Sequence, residues 1–499
     1  MTDSESPKAS SAVDMREHVD EAFQTIQPPQ AHFDADAESR LRKKIDLMIL
    51  PIVSILYLFC FIDRSNIGNA RLAGFEADLG MERIDYNATL SIFYISYILF
   101  EIPSNILCKI VGPGWFLPIL TILFGGCSVA NGFVKNVPQA MAVRFLLGIF
   151  EAGMLPGIAY YLSRWYRASE LVFRIACYIV TAALAGAFGA LLASAILTMD
   201  SFGSLHTWRM IFAIEGMITM GLGIIALFIL TDSPATARWL TPEEKKFAEA
   251  RLRSERVGQS EVLDRIDKKK ILRGIVNPVT IATSVAFLFN NITVQGLSVF
   301  APTIVRTIYS DRTVVQQQLY TAPPYLVGAF FTLLVPYFSW RLDKRQIFLA
   351  LCPTLTAIGY IMFLASTDLT VRYAAFFLVA AMIFVYAPLS NGQVSANVVS
   401  DTARSSAIGW NVMIGNIGGL ISTWAFLPFD GPNYPIGNGI NLAAQVVIMV
   451  TMYLTLLWMK RDNLSRDEKQ AEAEIALSNV TAEDIAGLDW KHPLFRWRV

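Results

Sequence analysis

Long apolar runs, each closed by a short polar or charged stretch, dominate the chain. A helix that crosses a bilayer needs about 20 mostly apolar residues. Such runs occur at about 46–66, 87–110, 115–134, 139–163, 172–198 and 209–230. A second set follows at about 277–300, 320–340, 346–365, 371–395, 405–428 and 439–459. The pattern predicts an all-α membrane protein with twelve transmembrane helices in two six-helix bundles. The runs that begin at Tyr320 and Val371 are the most diluted by proline and polar residues.

The widest interruption lies between the two sets and carries Pro242-Glu-Glu-Lys-Lys-Phe and Asp267-Lys-Lys-Lys. Thr241-Pro-Glu-Glu reads as a helix start, with Thr241 as N-cap, proline at the first position and acids in the first turn. The expected organisation is therefore a tail at 1–44, a bundle at 45–230, a linker at 231–276, a second bundle at 277–460 and a tail at 461–499. Basic residues sit on one side of this layout: Arg40, Arg42, Lys43, Lys44, Arg164, Arg167, the linker, Arg341, Lys344, Arg345, Lys460 and Arg461. Loops on the other side hold few, such as Arg71, Arg83, Lys135 and Arg312. The positive-inside rule then places both termini and the linker in the cytoplasm.

Composition narrows the classes. Of the 499 residues 54% are hydrophobic and 16% charged, against about 25% charged in a soluble domain. Lys plus Arg and Asp plus Glu both number 41, so nothing in the balance points to nucleic acid. Cys60, Cys108, Cys127, Cys177 and Cys352 fall in or beside apolar runs and form no CxxC pair, which suits small buried hydrophobes. The four histidines (His18, His32, His206 and His492) are scattered, so no metal site is expected. No Ser-His-Asp set or P-loop is evident, so neither an enzyme nor an ATP-driven pump is expected, and no cofactor is implied. Residues Met1 to Phe33 are polar, so no cleavable signal peptide is expected.

The two sets of runs echo each other. Arg174 and Gly189 lie 15 apart in the fifth run, and Arg404 and Gly419 lie 15 apart in the eleventh. Both runs are rich in small residues there, which lets membrane helices approach closely. Two six-helix halves around a long linker match a transporter built from parallel repeats.

Several passages then carry a specific resemblance. They are Phe61-Ile-Asp-Arg-Ser-Asn-Ile-Gly-Asn-Ala-Arg-Leu, Arg144-Phe-Leu-Leu-Gly-Ile-Phe-Glu-Ala-Gly-Met-Leu-Pro-Gly and Tyr160-Tyr-Leu-Ser-Arg-Trp-Tyr. Trp208-Arg-Met-Ile-Phe-Ala-Ile-Glu-Gly, Asp232-Ser-Pro, Trp239-Leu-Thr-Pro-Glu-Glu, Gly415-Asn-Ile-Gly-Gly and His492-Pro-Leu-Phe-Arg complete the set. In this order and spacing, over about residues 38–499, the chain resembles the major facilitator superfamily. Within it, the chain looks like the anion:cation symporter group and its fungal allantoate, nicotinate and pantothenate permease-like branch. One passage departs. Where the superfamily carries an acidic and basic loop after its second helix, this chain reads Lys109-Ile-Val-Gly-Pro-Gly-Trp, with no acid. The related loop Arg341-Leu-Asp-Lys-Arg keeps Asp343, Lys344 and Arg345, so a charge-latched gate is expected there instead.

Charges inside a bilayer are costly, by about 2.5–3.5 kcal/mol each on insertion scales, and survive where they pair or line a wet cavity. Asp63 and Arg64 close the first run; Arg144 and Glu151 occupy the fourth. Seven residues apart, Arg144 and Glu151 share one helix face, about 10.5 Å apart along the axis, with Gly148 between them. They are either a static pair that steadies packing or a carboxylate-binding Arg with a proton-carrying Glu. The resemblance implies the second: its family uses the matching Asp-Arg and Arg…Glu residues for proton coupling and anion binding. The expected assignment is Arg144 with Arg64 for the anion, and Glu151 with Asp63 for the proton. Arg64 has a second open role, as the neutraliser of Asp63. Arg suits a carboxylate because it stays charged and offers a bidentate fork. When a substrate carboxylate engages the Arg, the Glu loses its partner and takes a proton.

Asn290, Asn291 and Gln295 in the seventh run, Asn391, Gln393 and Asn397 in the tenth and Asn416 in the eleventh line the cavity or bridge helices; Asn291, Gln295 and Asn391 are the candidate substrate contacts. Phe93, Tyr94, Tyr97 and Tyr325 fit helix packing better than stacking on a substrate. Glu101, Glu215 and Arg174 lie near run boundaries, where structural or gating roles are expected. The Asn87-Ala-Thr sequon sits too near the bilayer for glycosylation to be expected. The expected function is a monomeric secondary transporter in the plasma membrane that imports a small organic anion with protons by alternating access. The alternative is a nutrient-sensing receptor of the same fold that transports little.

Overall fold

In hydrocarbon every backbone polar group must be satisfied within its own segment, so an apolar run that spans it folds as helix. The computed structural model bears this out for every run. It describes residues 35–470 and 489–499, apart from 83, 202, 204, 257–267, 400 and 494. The polar start of the chain with His18 and His32, Arg83, and Asp267 of the basic linker run lie outside the described residues.

The first six spans are Ala35–Leu72, Asp85–Val111, Pro113–Asn131, Val137–Ser163, Ala168–Leu197 and Trp208–Ile229. The last six are Pro278–Ile308, Val314–Leu342, Arg345–Ala365, Leu369–Ala396, Asp401–Ser422 and Pro435–Glu468. Eleven of them are long and apolar enough to cross a membrane on length and composition. The eleventh span is the exception: its 22 residues are diluted by Ser, Asn and Gly. Packing accounts for its place. Gly418 and Gly415 lie against the Leu288 carbonyl and the Phe287 ring of the seventh span. That span ends at Ser422, earlier than the apolar run suggests, whereas the first and twelfth helices extend beyond theirs to Leu72 and Glu468.

The repeat is visible in the packing. In the first bundle span 1 packs on 5, 2 on 4, and 3 on 6; in the second, 7 packs on 11, 8 on 10, and 9 on 12. The fourth span breaks between Glu151 and Met154, and the tenth breaks at the matching place, between Ile383 and Tyr386. The echo of Gly189 and Gly419 does not extend to their contacts. A Cβ on Gly189 would meet Ile62 within its own bundle, whereas one on Gly419 would strike the Tyr94 ring of the other.

Contacts between the bundles gather away from the linker. Gly68 lies directly against the Val299 carbonyl. Gln318 Nε2 donates to the Asn69 carbonyl (3.3 Å), Asn87 to that of Thr423, and the Ser91 and Thr423 hydroxyls are 2.7 Å apart. One apolar core runs through this side and joins Ile67, Tyr86 and Leu90 to Leu297, Phe300 and Tyr325. On the linker side each bundle has its own core, built around Leu117, Tyr161 and Trp165 in the first and Leu349, Tyr386 and Met452 in the second.

The linker begins as read. Thr241 and Glu244 form a reciprocal capping box, Glu244 N to Thr241 Oγ1 at 3.2 Å and Thr241 N to Glu244 Oε2 at 2.9 Å, at the start of the helix Pro242–Arg256. That helix docks on the first bundle: Lys44 Nζ meets Glu244 at 2.7 Å, and buried Arg251 meets Glu170 at 2.8 Å. A second linker helix, Lys268–Ile275, packs on the eleventh span instead. At the far end of the chain, Trp497 is buried against Val279 and Met459, and its indole donates to Asp462 at 2.6 Å.

Candidate functional site

Asp63 and Arg64 are adjacent in the first span, so their side chains leave the helix about 100° apart. They therefore meet different neighbours. Arg64 reaches the fourth span, where its Nη2 and Nε both donate to Glu151 Oε2, at 2.9 and 3.1 Å. Glu151 is wholly buried and Arg64 is 6% exposed. Rings of Phe61, Phe93 and Tyr97 surround the guanidinium, with centroids at 4.8, 5.3 and 5.0 Å. Stacking of this kind is favourable for Arg.

Asp63 turns the other way. Ser128 Oγ of the third span donates to its Oδ1 at 2.9 Å, and Thr219 Oγ1 of the sixth donates to its Oδ2 at 3.1 Å. Arg64 is thus the partner of Glu151 and not the neutraliser of Asp63. The static Arg144–Glu151 pair that seven-residue spacing allows is not formed either. Arg144 is 1% exposed, lies over the Phe212 ring at 5.5 Å, and has no hydrogen-bond partner for Nε or Nη2 among the described residues. A shared helix face sets a direction, but a partner across the bundle is closer than one two turns along. Gly148 leaves room for a helix: a Cβ there would overlap Ser96 Oγ and the Phe93 carbonyl of the second span.

The amides divide. Tyr94 donates its hydroxyl to Gln295 Oε1 across the two bundles at 3.1 Å. Asn291 donates to the Phe287 carbonyl of its own helix at 3.1 Å, Asn290 to that of Ile383 at 3.3 Å, and Asn411 to Asn391 Oδ1 at 2.9 Å. Gln393 and Asn397 instead hold the end of the chain, both donating to the Arg498 carbonyl, at 2.8 and 3.2 Å. Tyr94 bridges the bundles, Phe93 and Tyr97 pack on Arg64, and the Tyr325 hydroxyl donates to the Leu297 carbonyl at 2.9 Å, so all four rings make contacts within the protein. Asn87 is buried between bundles and unavailable to a glycan.

Two placements depart from the sequence reading. Glu101 is no boundary group; it is buried and accepts from Asn416 Nδ2 of the second bundle at 2.9 Å. Glu215 is fully buried among the first, third and sixth spans. On the linker side of the first bundle Arg174 grips Asp46 at 2.8 and 2.7 Å, and Arg167 meets Glu38 at 2.8 Å; on that side of the second Arg466 meets Asp462 and Arg496 meets Asp467, both at 2.6 Å. Asp343 caps the eighth span in a left-handed conformation (φ 50°), and its ion pair with Arg345, at 3.8 Å, closes within one loop beside Lys344. The acid-free loop at Gly112-Pro-Gly114 finds its carboxylate elsewhere, with Gly114 N donating to Asp232 Oδ1 at 2.8 Å.

Sequence reasoning missed Ser128 and Thr219. Both are hydroxyls inside apolar runs, and matching their depth to that of Asp63 is the signal that finds them. The cysteines are all free, with Cys60, Cys108 and Cys352 buried and Cys127 and Cys177 partly so. Among the described residues no cluster of His, Cys, Asp and Glu could hold a metal.

The Major Facilitator Superfamily family model matches residues 53–423. The chain belongs to that superfamily. It is 32% identical over 468 residues to an uncharacterized transporter of Schizosaccharomyces pombe, covering 93% of this chain and 91% of that one. It is 31% identical over 434 residues to a high-affinity nicotinic acid transporter of Saccharomyces cerevisiae, covering 87% and 80%. Among solved structures it resembles a bacterial homologue of the human lysosomal transporter Spinster, in an inward-facing and unoccupied conformation. The TM-score is 0.62 at 16% identity, over 85% of this chain and 97% of that one. The protein is a multi-pass membrane transporter with the major facilitator fold, and its fungal relatives are transporters rather than enzymes.

Proposed function

We propose that this transporter imports a small organic anion, a carboxylate, together with protons. One observation carries the reading: a buried guanidinium, that of Arg144, keeps two N–H-bearing nitrogens without partners among the described residues, on the same span as the carboxylate that holds Arg64. A buried cation with open donors is stable only if something anionic joins it. The relative that carries nicotinic acid supports a carboxylate as that anion.

The coupling follows from charge. Arg64 and Arg144 contribute two positive charges, Asp63 and Glu151 up to two negative ones. An incoming carboxylate offers a bidentate partner to a guanidinium. Arg64 then releases Glu151, and a buried carboxylate that loses its Arg partner takes up a proton. Anion and proton load together, and the site stays near neutrality. The rings of Phe61, Phe93 and Tyr97 hold the Arg64 guanidinium whether or not Glu151 is charged. Asn291, Gln295 and Asn391 on the second bundle are the assigned substrate contacts.

The linker and both ends face the cytoplasm on this reading, in the plasma membrane, and the protein works as a monomer. Bundle contacts then close the external side, so the conformation is inward-facing, and rocking of one bundle on the other exposes the site to each side in turn. Asp343, Lys344 and Arg345 belong to the gate that closes on the cytoplasmic side. The test is uptake of labelled nicotinate, pantothenate and allantoate into cells expressing the protein, at acidic and neutral external pH, with an uncoupler control. Uptake that rises in acid and collapses with the uncoupler is expected for one of them. Flat uptake with protein at the surface, and specific binding of a panel member, would make the protein a receptor instead.

A further inference from the structure

Arg71 closes the passage that begins at Phe61, and the scheme above leaves it unused. It lies seven residues beyond Arg64 in the first span. The two arginines therefore share a helix face, about 10.5 Å apart along the axis. Gly68 stands between them on that face. Arg71 sits on the side where the bundles meet, and Arg64 sits deeper.

A base in the last turn of a helix commonly bonds the open carbonyls there. Arg71 Nη1 does not: it is buried and has no hydrogen-bond partner among the described residues. Its Nη2 forms an ion pair with Glu76 at 3.0 Å, but the Glu76 side chain is 34% exposed. Water competes for such a carboxylate, so the pair is weak. Two rings flank the guanidinium, Tyr86 of the second span at 4.3 Å and Phe300 of the seventh at 5.9 Å from the ring centroids. The Tyr86 hydroxyl is also buried and without a partner among the described residues. Buried donors are almost always bonded. An unused guanidinium nitrogen beside an unused hydroxyl lacks an acceptor, and a carboxylate supplies two.

The second bundle covers this place. Gly68 lies directly against the Val299 carbonyl, and the next residue, Phe300, lies beside Arg71. Val299 and Phe300 thus close the first-span face between Arg71 and Arg64. Parting of the bundles on this side carries Phe300 away, because it belongs to the second bundle. Tyr86 belongs to the first and stays with Arg71. The guanidinium then faces water with one ring still beneath it.

We propose that Arg71 is an outer binding site for the transported carboxylate, which takes the anion from external water before it reaches Arg64 and Arg144. The inference rests on the import reading above and adds an entry station to it. The carboxylate accepts from Nη1 and displaces Glu76, which water can solvate. It then moves along one face of the first span to Arg64. A charge is costly in an apolar passage without a countercharge, and two guanidiniums on one face shorten that stretch. Return of Val299 and Phe300 closes the outside behind the anion.

The test is labelling of intact cells that express the full chain with a membrane-impermeant, arginine-selective dicarbonyl reagent. Mass spectrometry reads the peptide that carries Arg71. Nicotinate, pantothenate and allantoate are the probes. Arg71 should react, and faster in Phe300→Ala. One of the three carboxylates should slow the reaction about tenfold or more, the scale of a charged hydrogen bond. That slowing should persist in Arg144→Leu, where the deeper site is lost; its disappearance there would assign the protection to Arg144 and overturn the inference. No reaction in either wild type or Phe300→Ala, with protein at the surface, also overturns it, as does a reaction that none of the three slows. Arg71→Gln should raise the half-saturating external concentration for uptake about tenfold or more. The half-saturating concentration at the cytoplasmic face, measured in inside-out vesicles, should stay as in wild type, and Arg71→Lys should recover part of the external loss. An equal rise at both faces marks a structural role and overturns the inference while the import reading stands. Protection of Arg71 in a protein that takes up none of the three overturns the import reading and leaves the outer site in place.

Discussion

Two buried arginines with opposite circumstances govern the site. Among the described residues Arg64 has a carboxylate and three rings, whereas Arg144 has one ring and two nitrogens without a hydrogen-bond partner. Substitution should therefore separate function from stability. Arg144→Leu should abolish uptake yet raise the melting temperature of the purified protein, because it removes a buried charge that lacks a partner. A fall in melting temperature would mean that Arg144 is structural. Arg144→Lys should keep the charge but lose the fork, raising the half-saturating substrate concentration by about tenfold or more, as expected for a charged hydrogen bond worth about 1.5–3 kcal/mol. Glu151→Gln should stop proton-driven accumulation and spare counterflow exchange. Loss of both, with normal surface expression, would demote Glu151 from coupling to structure. These residues are visible in the sequence because charge is rare in an apolar run. Their pairing is not, since Glu151 is 87 positions from Arg64.

The spans follow from hydrophobic length, but the linker helix is held by ion pairs. Glu244 caps its own helix and binds Lys44 of the first span. That Lys44 hydrogen bond, first among the causes, holds the Glu244 carboxyl below its ordinary value of 4.5. A depressed carboxyl contributes stability that is complete above the unfolded value and lost as pH falls through the lowered folded value. Both side chains are about a third exposed, so the contribution is small and salt-screened. Amide protection across Pro242–Arg256, relative to an unstructured chain at the same pH, should accordingly be full at neutral pH and fall only below about pH 4.5, and Lys44→Met should lower the protection at neutral pH. No change in either would show that Arg251, buried beside Glu170, holds the helix alone. The capping box was predictable from Thr241 and Glu244 because a cap is local. Its docking partner Lys44 was not, because 200 residues separate the two.

At the scale of the whole molecule, the bundles meet on the side away from the linker and keep separate cores on the other. Alternating access requires the closed side to open. Cysteines in place of Ser91 and Thr423, whose hydroxyls are 2.7 Å apart, are near enough for a disulfide of about 2.05 Å. Oxidation of that double variant should stop transport and reduction should restore it. Uptake that continues through the crosslinked protein would exclude rocking about this contact. The repeat also belongs to this scale. Paired packing of spans 1 and 5 with 7 and 11 is evident in the fold, while in the sequence it left only the Arg174–Gly189 and Arg404–Gly419 spacing.

The sequence alone determined the spans, the sidedness of the basic residues, the linker cap and the four membrane charges, because each depends on composition or on neighbours along the chain. The eleventh span was read as an apolar run like the others, yet it is the one of the twelve whose apolarity by itself does not establish a crossing. Only the tertiary structure decided which charge meets which: that Asp63 goes to Ser128 and Thr219, that Arg64 takes Glu151, and that Arg144 is left open. It also moved Glu101 and Glu215 from boundary to interior and showed Asp343 closing on its own loop. The reason is physical. Insertion into a bilayer is decided segment by segment, from the transfer energy of each side chain. Pairing inside the bundle depends on how the helices are rotated about their axes, and close packing between distant segments fixes that rotation.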